Sequence, residues 1–140
     1  MPYPPLVYYK TEKEYRAHFE RVYCKKSIVT FDGIPVRFKK VDFNHAFYES
    51  RRAKDDTFSL RRAQRIDWIK AALEDPGSEM YVGWDNKKKR NDRRRRVVLV
   101  QGDYVVVIGI SSKGRGRFIT SFIADSGRTV QMIRSNPKWA

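Results

Sequence analysis

Four short runs of β-branched and aromatic residues dominate the second half of the chain, at 80–84, 97–101, 104–110 and 118–124. Runs of this composition, separated by turn or charged residues, are typical of β-strands. Only Gly102 and Asp103 separate the two middle runs, and so short a connection with glycine indicates a tight hairpin. The pattern predicts a four-stranded antiparallel meander, which constrains the fold more than any other feature of the sequence.

The first 40 residues predict one helix and one small hairpin. Thr11 opens a capping box of the form T-x-x-E, and apolar residues follow it at helical spacing, which predicts a helix over 11–24. Two strand-like runs then flank Asp32-Gly33, the dipeptide most typical of a hairpin turn. Pro35 lies in the second run and favours an edge strand, because proline has no N–H for a ladder.

A long helix is the most prominent element in the middle of the chain. Ser59 is placed to cap it, apolar residues share one face as far as Leu73, and Pro76-Gly77 ends it. Residues 41–56, before this helix, have no clear period, so we expect a turn or a short irregular helix there. A last short helix is predicted over 129–134.

These elements predict an α+β fold in one basic domain spanning residues 1–140. N-terminal helices and a small hairpin would pack on the four-stranded antiparallel meander, with 1–40 as helix plus hairpin and 41–140 as the core. With the helices on one face of the sheet, the other face would be available to a ligand.

The chain carries a net charge of +14, far more than solubility requires. Such an excess raises the rate of encounter with polyanions, so nucleic acid is the first partner to consider. Half of the excess lies in the basic run, residues 87–96, which holds eight cations and one carboxylate. A solvated hairpin tip would explain the run equally well, but its position between two strands and beside aromatic residues favours a binding surface.

Two histidines restrict the choice of a group for proton transfer. His18 lies within the first predicted helix and is expected on its surface. His45 lies in the irregular segment among aromatic and small polar residues, where functional residues are over-represented, although a packed or capping histidine is the simpler alternative. The carboxylates are scattered, which argues against a nuclease built on Mg²⁺, and we expect no metal and no cofactor.

RNA cleavage without a metal uses the 2′-hydroxyl as nucleophile, a base, an acid, and cations for the charged phosphorane. The chain is rich in such groups, and the loop 111–117 adds glycines that let backbone amides approach a phosphate. Without the spacing of a P-loop, this loop gives no support for nucleotide hydrolysis. The expected RNA-binding residues are Lys87, Lys88, Lys89, Arg90, Arg93, Arg94, Arg95, Lys113, Arg115 and Arg117, with Tyr48, Tyr104 and Trp139 as aromatic partners for bases.

The segments FNHAFYES, RAQRIDWIKAALEDP, RRVVLVQGDYVVVI and GRFITSFIAD, with the closing NPKW, resemble the barnase/EndoU/colicin/RelE-like nuclease superfamily in type and order. The likeness covers residues 41–139 and is greatest to phage-associated and polymorphic-toxin members. It implies a metal-independent endoribonuclease acting on tRNA or ribosome-bound mRNA, restrained by an acidic antitoxin or immunity protein. Carried over by position, the catalytic residues would be His45, Arg96, Thr120 and Lys138. A second histidine of the EndoU type is missing, as is an arrangement like that of barnase.

Two other classes of function compete with the nuclease. A non-catalytic RNA-binding or ribosome-associated domain would use the same cations and aromatic residues. A DNA-binding regulator is disfavoured, because no helix with a base-reading surface stands out. The longest apolar run, 104–108, is much shorter than the roughly 20 residues that span a bilayer, and the N-terminus does not have the pattern of a signal peptide. We therefore expect a cytoplasmic protein that does not insert into a membrane.

Overall fold

A computed structural model describes residues 3–85 and 87–139. The helices are α1 (Glu12–Phe19), which continues as a π-helical turn (Glu20–Cys24), α2 (Asp42–Phe47), α3 (Leu60–Gln64), α4 (Trp68–Glu74) and α5 (Gly127–Arg134). The strands are β1 (Ile28–Val29), β2 (Pro35–Arg37), β3 (Tyr48–Glu49), β4 (Thr57–Phe58), β5 (Glu79–Asp85), β6 (Arg90–Val100), β7 (Tyr104–Ile110) and β8 (Gly116–Ile123).

The fold is α+β, and its main sheet has six strands in the order β1-β2-β8-β7-β6-β5. Strands β5 to β8 pair antiparallel in sequence order, so the predicted succession of neighbours is confirmed. β1 and β2 form the expected antiparallel hairpin. The hairpin is not separate from a four-stranded antiparallel sheet, however, because β2 pairs parallel with β8 and makes the main sheet six-stranded and mixed. A Cβ on Gly116 would lie 3.0 Å from Cγ2 of Val36, so the glycine permits this close approach. Pro35 is therefore the first residue of an interior strand and not part of an edge strand.

Strand β6 is longer than predicted and takes in most of the basic run. Only Lys87, Lys88 and Lys89 form the turn, and the strand begins at Arg90. Between the pairs Val82↔Arg96 and Gly83↔Asp92 the register shifts, so residues 93–95 form a bulge on β6. Most of the basic run is therefore part of strand β6, and only its three lysines form the tip of the β5–β6 hairpin.

The predicted long helix is two helices, α3 and α4. Ser59 caps α3 as expected, since its Oγ accepts a hydrogen bond from the N–H of Arg62 at 3.3 Å. The break follows from Tyr23, whose hydroxyl donates to the carbonyl of Ile66 and accepts from the N–H of Lys70 at 3.0 Å. In a continuous α-helix that carbonyl and that N–H would bond to each other, so the tyrosine takes the place of a helical hydrogen bond.

The main hydrophobic core lies between one face of the sheet and helices α1, α2 and α4. Phe19, Phe43 and Phe47 are fully buried there against one another. A smaller cluster on the opposite face brings Val130 of α5 against the sheet, so that face is partly covered and not wholly free. None of the described helices is long and apolar enough to cross a bilayer.

Candidate functional site

His45 lies in the last turn of α2, at the edge of β8 that β2 leaves unpaired beyond Arg117. A cavity of about 550 Å³ opens there between α2, β2, β8 and the β3–β4 loop. We call it the His45 cavity; it is lined by Arg37, Lys39, Val41, Asp42, His45, Lys54, Asp55, Arg117, Phe118, Ile119 and Thr120.

Two carboxylates flank the His45 ring, whose side chain is 35% exposed. Nδ1 lies 3.1 Å from Oδ2 of Asp55, and Nε2 lies 3.9 Å from Oδ1 of Asp42. Only the first distance is a hydrogen bond, in which the Nδ1–H donates to the Asp55 carboxylate, and Nε2 is hydrogen-bonded to neither carboxylate.

The loop between β3 and β4 holds Asp55 in place. Asp55 adopts a positive φ of 51°, which an aspartate tolerates better than most residues. The carboxylate of Asp56 accepts the backbone N–H groups of Arg51, Arg52 and Ala53 at 2.9 to 3.0 Å. These hydrogen bonds hold the pKa of Asp56 well below its usual range, so the loop keeps its anchor in all but strongly acidic solution.

Thr120 also contacts His45, but through the backbone. Its hydroxyl donates to the carbonyl oxygen of His45 at 2.8 Å. Thr120 therefore fixes the end of α2 against β8, and the structure brings together two of the four residues expected to be catalytic.

Four exposed cations line the His45 cavity: Arg37, Lys39, Lys54 and Arg117. Among the residues that the structure describes, no carboxylate comes within 4.0 Å of any of these four cationic groups. The sequence analysis missed Arg37, Lys39 and Lys54. The signal was the alternation of buried Val36 and Phe38 with exposed cations along 36–39, which is typical of a strand with one charged face.

A second cavity of about 510 Å³ shares Arg37 and Arg117 with the first. Its remaining cations come from the bulge of β6 and from the loop 111–117, and they are Arg94, Arg95, Lys113 and Arg115. All four were expected from the sequence to bind RNA. The two cavities adjoin at Arg37 and Arg117, and we call them together the basic groove; their combined lining holds eight cations and three carboxylates. Lys88, Arg90 and Arg93 line a separate depression with Arg94, and Lys87 and Lys89 lie exposed in the nearby turn.

Arg96 is buried away from the basic groove. Its side chain is 2% exposed, and its guanidinium donates to Oδ1 and Oδ2 of Asp32 at 3.1 and 2.6 Å. This contact, more than any other, lowers the pKa of Asp32 to about 2. The guanidinium also lies 4.8 Å from the ring centre of Trp139. Its Nε has no hydrogen-bond partner among the described residues, so Arg96 is held inside the fold by Asp32 and Trp139.

Lys138 lies at the far edge of the sheet. The segment 137–139 runs along β5, with hydrogen bonds from Val82 N–H to the carbonyl of Pro137 at 2.8 Å and from Trp139 N–H to Met80 at 3.0 Å. Since four strand spacings of about 4.8 Å separate this segment from β8, Lys138 is about 19 Å from that strand. Neither Arg96 nor Lys138 joins His45.

Most of the aromatic side chains that were expected to stack on bases instead make contacts inside the fold. Tyr104 is 1% exposed, and burial raises the pKa of its hydroxyl far above the usual range. Tyr48 is half-buried and donates to both carboxylate oxygens of Glu12 at 2.9 Å. Trp139 is half-buried over Arg96. Tyr104 therefore cannot stack on a base, which corrects the expectation from the sequence.

His18 is not a surface residue, as the sequence had suggested. It is buried, with Nε2 2.7 Å from Oδ1 of Asp67 and Nδ1 2.8 Å from the hydroxyl of Tyr9. It ties the N-terminal segment to the start of α4 and lines neither cavity of the basic groove.

In residues 3–85 and 87–139, no three histidine, cysteine or acidic side chains are grouped as metal ligands would be. Comparison of the chain with protein-family models, curated proteins and solved structures finds no match.

Proposed function

We propose that this chain is a metal-independent endoribonuclease of the toxin type, which cleaves RNA by attack of the 2′-hydroxyl on the adjacent phosphate. The observation that carries the proposal is the His45 cavity, where an imidazole hydrogen-bonded to Asp55 shares the lining with four cations. Within residues 3–85 and 87–139, none of these cations has a carboxylate within 4.0 Å. An imidazole accepts and donates protons near neutral pH, and unpaired cations attract a phosphate.

His45 acts as the base in this mechanism. Its Nδ1–H stays with Asp55, and Nε2 takes the proton of the 2′-hydroxyl as O2′ attacks phosphorus. The bond from phosphorus to the 5′-oxygen then breaks, leaving a 2′,3′-cyclic phosphate on one product. Asp55 keeps the ring in the required tautomer and stabilises the imidazolium that forms.

The cations take the remaining roles. Arg37 and Arg117 are suited to bidentate contact with the phosphate oxygens, so they stabilise the charge that builds up on the phosphorane. Lys39 and Lys54 are the protonated groups of the same cavity that can donate a proton to the departing 5′-oxygen. These four residues thus take the places that the resemblance gave to Arg96 and Lys138.

Membership of the barnase/EndoU/colicin/RelE-like superfamily is part of the same proposal. The shared features that support it are the antiparallel order of β5 to β8 and the position of a histidine ahead of the main helices. The substrate would be tRNA or ribosome-bound mRNA in the cytoplasm.

The test is cleavage of total RNA in EDTA by the wild-type protein and by His45→Ala. We expect the substitution to lower the rate at least about 100-fold, the usual contribution of a general base. Val41→Ala is the matched control, because Val41 lines the same cavity, is exposed and has no titratable group in its side chain. Thermal unfolding of each variant shows that it is folded. Equal cleavage by wild type and His45→Ala would refute the role of His45.

A non-catalytic RNA-binding domain is the second candidate. It is favoured by the distribution of the free cations, since Arg94, Lys113 and Arg115 lie in the part of the basic groove away from His45. This function predicts salt-sensitive RNA binding and no cleavage product at any protein concentration.

We further propose that an acidic inhibitor protein docks on the basic run. Lys87, Lys88, Lys89 and Arg90 are exposed at the tip of the β5–β6 hairpin, where charge complementarity would speed association. Reversing these four charges should weaken any acidic inhibitor of the cleavage, and undiminished inhibition would contradict this docking site.

A further inference from the structure

A row of glycines and arginines crosses five strands on one face of the sheet. Arg95 of β6 pairs with Gly109 of β7, Gly109 pairs with Arg117 of β8, and Arg117 pairs with Arg37 of β2. Gly83 of β5 adjoins the row, because a Cβ there would lie 2.6 Å from Cβ of Arg95. Paired residues project to the same face of a sheet, so the three arginines, which we call the arginine row, share one surface.

Gly109 leaves room for the Arg117 guanidinium to lie against the sheet. A Cβ on Gly109 would be 3.2 to 3.3 Å from three atoms of the Arg117 guanidinium, so Arg117 lies flat across β7 toward Arg95. Any larger residue at 109 would lift the guanidinium from the sheet. The lack of a side chain at Gly109 therefore leaves the space in which the Arg117 guanidinium lies against the sheet.

Three further cations line the same cavity as the arginine row. Arg94 projects from the bulge of β6, and Lys113 and Arg115 come from the loop 111–117; together with the row they enclose the cavity of about 510 Å³. Asp92 is the single carboxylate of its lining, and it contacts Arg95 at 3.4 Å. Arg37 and Arg117 also line the His45 cavity, so the row leads directly to the candidate active site.

We propose that the arginine row binds backbone phosphates of a single RNA strand, next to the phosphate that is cleaved in the His45 cavity. This inference rests on the proposed function and names its substrate class: single-stranded polynucleotide, several nucleotides long. Planar guanidiniums suit phosphate oxygens. A cavity of this volume has the size of a small-molecule site, so it fits the backbone of one strand better than a whole duplex.

Binding is tested separately from cleavage, with a fluorescent 2′-O-methyl oligonucleotide that has no free 2′-hydroxyl. We expect Arg95→Gln/Arg117→Gln to weaken binding about tenfold and to flatten the plot of log K against log salt by about 1.4, or 0.7 for each cation. Lys13→Gln/Arg128→Gln is the matched control. Both residues are exposed and lie outside the basic groove, and the two substitutions remove the same amount of charge. Equal losses in the two double variants would overturn the proposal, since only total charge would then matter.

Gly109→Ala and Gly109→Val displace Arg117 without altering the charge. We expect binding to weaken in the order Gly, Ala, Val, because the guanidinium is lifted further by the larger side chain. Unchanged binding in both variants, with unfolding curves that show a folded protein, would overturn the placement of the RNA on the row.

His45→Ala separates this proposal from the proposed function. It should bind the 2′-O-methyl strand as the wild type does while cleaving RNA at least about 100-fold more slowly. Arg95→Gln, which leaves every cation of the His45 cavity in place, should instead raise KM for a decanucleotide with kcat within about twofold, the pattern of lost uniform binding. Selective loss of binding in a protein that never cleaves RNA would sustain the arginine row and refute the nuclease. Cleavage with wild-type KM in Arg95→Gln would do the reverse.

Discussion

Asp32→Asn should destabilise the protein, because it removes the partner of a buried charge. Arg96 is 2% exposed on its side chain and gives two hydrogen bonds to the Asp32 carboxylate, at 3.1 and 2.6 Å. An asparagine offers only one acceptor oxygen, and its NH₂ group would face the N–H groups of the guanidinium. The charge of Arg96 would then be stabilised mainly by the ring of Trp139.

The size of the effect follows from the exposure of the two partners. Breaking a fully buried ion pair costs about 3–5 kcal/mol, but water reaches the Asp32 side chain, which is 35% exposed. We therefore expect a loss of about 2–3 kcal/mol in the free energy of unfolding. Given the usual unfolding entropy for each residue, a chain of 140 residues should lose about 7–10 °C in Tm.

The same ion pair predicts how stability depends on pH. The folded-state pKa of Asp32 is about 2, below its ordinary value of 3.8. The carboxylate therefore stabilises the protein fully above about pH 4, and this stability is lost as the pH falls from about 4 toward 2. The difference between wild type and Asp32→Asn in urea unfolding should shrink over that interval.

Asp125→Asn is the control for this experiment. Asp125 and Arg61 form a pair at 3.8 Å in which the side chains are 72% and 68% exposed, so its loss should cost less than about 0.5 kcal/mol. Asp32→Asn/Arg96→Met should recover much of the lost stability, because an apolar residue replaces the unpaired charge. It should also retain RNA cleavage. A wild-type Tm in Asp32→Asn, or loss of cleavage in the folded double variant, would refute the structural role of Arg96.

Three further substitutions test the surroundings of the two histidines. Asp55→Asn should lower kcat for RNA cleavage by about 100-fold or more, because the amide can stabilise the wrong imidazole tautomer; unchanged kcat would contradict the role of Asp55. Thr120→Val should reduce stability by about 1–2 kcal/mol through loss of the bond to the His45 carbonyl, and Thr120→Ser should restore it in urea unfolding. His18→Leu should cost about 1–3 kcal/mol, since it leaves Asp67 and Tyr9 without their shared partner, and an unfolding curve identical to that of the wild type would exclude this.

Local signals predicted the elements whose cause lies within a few residues. The hairpin between β6 and β7 follows from Gln101 and Gly102, which take φ of 54° and 81° in the turn. Ser59 and Thr11 cap helices that begin at the next residue, one at Leu60 and one at Glu12. In each case the signal and the structure it causes are neighbours in the sequence.

The errors concern contacts between distant segments. The break between α3 and α4 depends on Tyr23, more than 40 positions earlier, and the parallel pairing of β2 depends on space above Gly116. No local pattern contains either contact. The extra length of β6 was missed for another reason, since a run of arginines has no alternation of buried and exposed residues.

The candidate site was predicted in part. His45 was expected for its chemistry, and Thr120 for its place in a family pattern. In the structure the Thr120 hydroxyl is hydrogen-bonded to the His45 carbonyl oxygen. Arg96 was chosen for its position at a strand start, but its direction into the sheet depends on the bulge that precedes it. Arg37 was overlooked because its place beside Arg117 depends on the parallel pairing of β2 and β8.

The most direct test of the central claim is the chemistry of the new RNA ends. Total RNA is incubated in EDTA with wild type, His45→Ala or Val41→Ala, and the termini are identified by mass spectrometry. We predict 2′,3′-cyclic phosphate or its hydrolysis product with wild type and Val41→Ala, and at least about 100-fold fewer ends with His45→Ala. Intact RNA with the wild-type protein, or equal numbers of ends with His45→Ala, would contradict the assignment of His45 as the base of a ribonuclease.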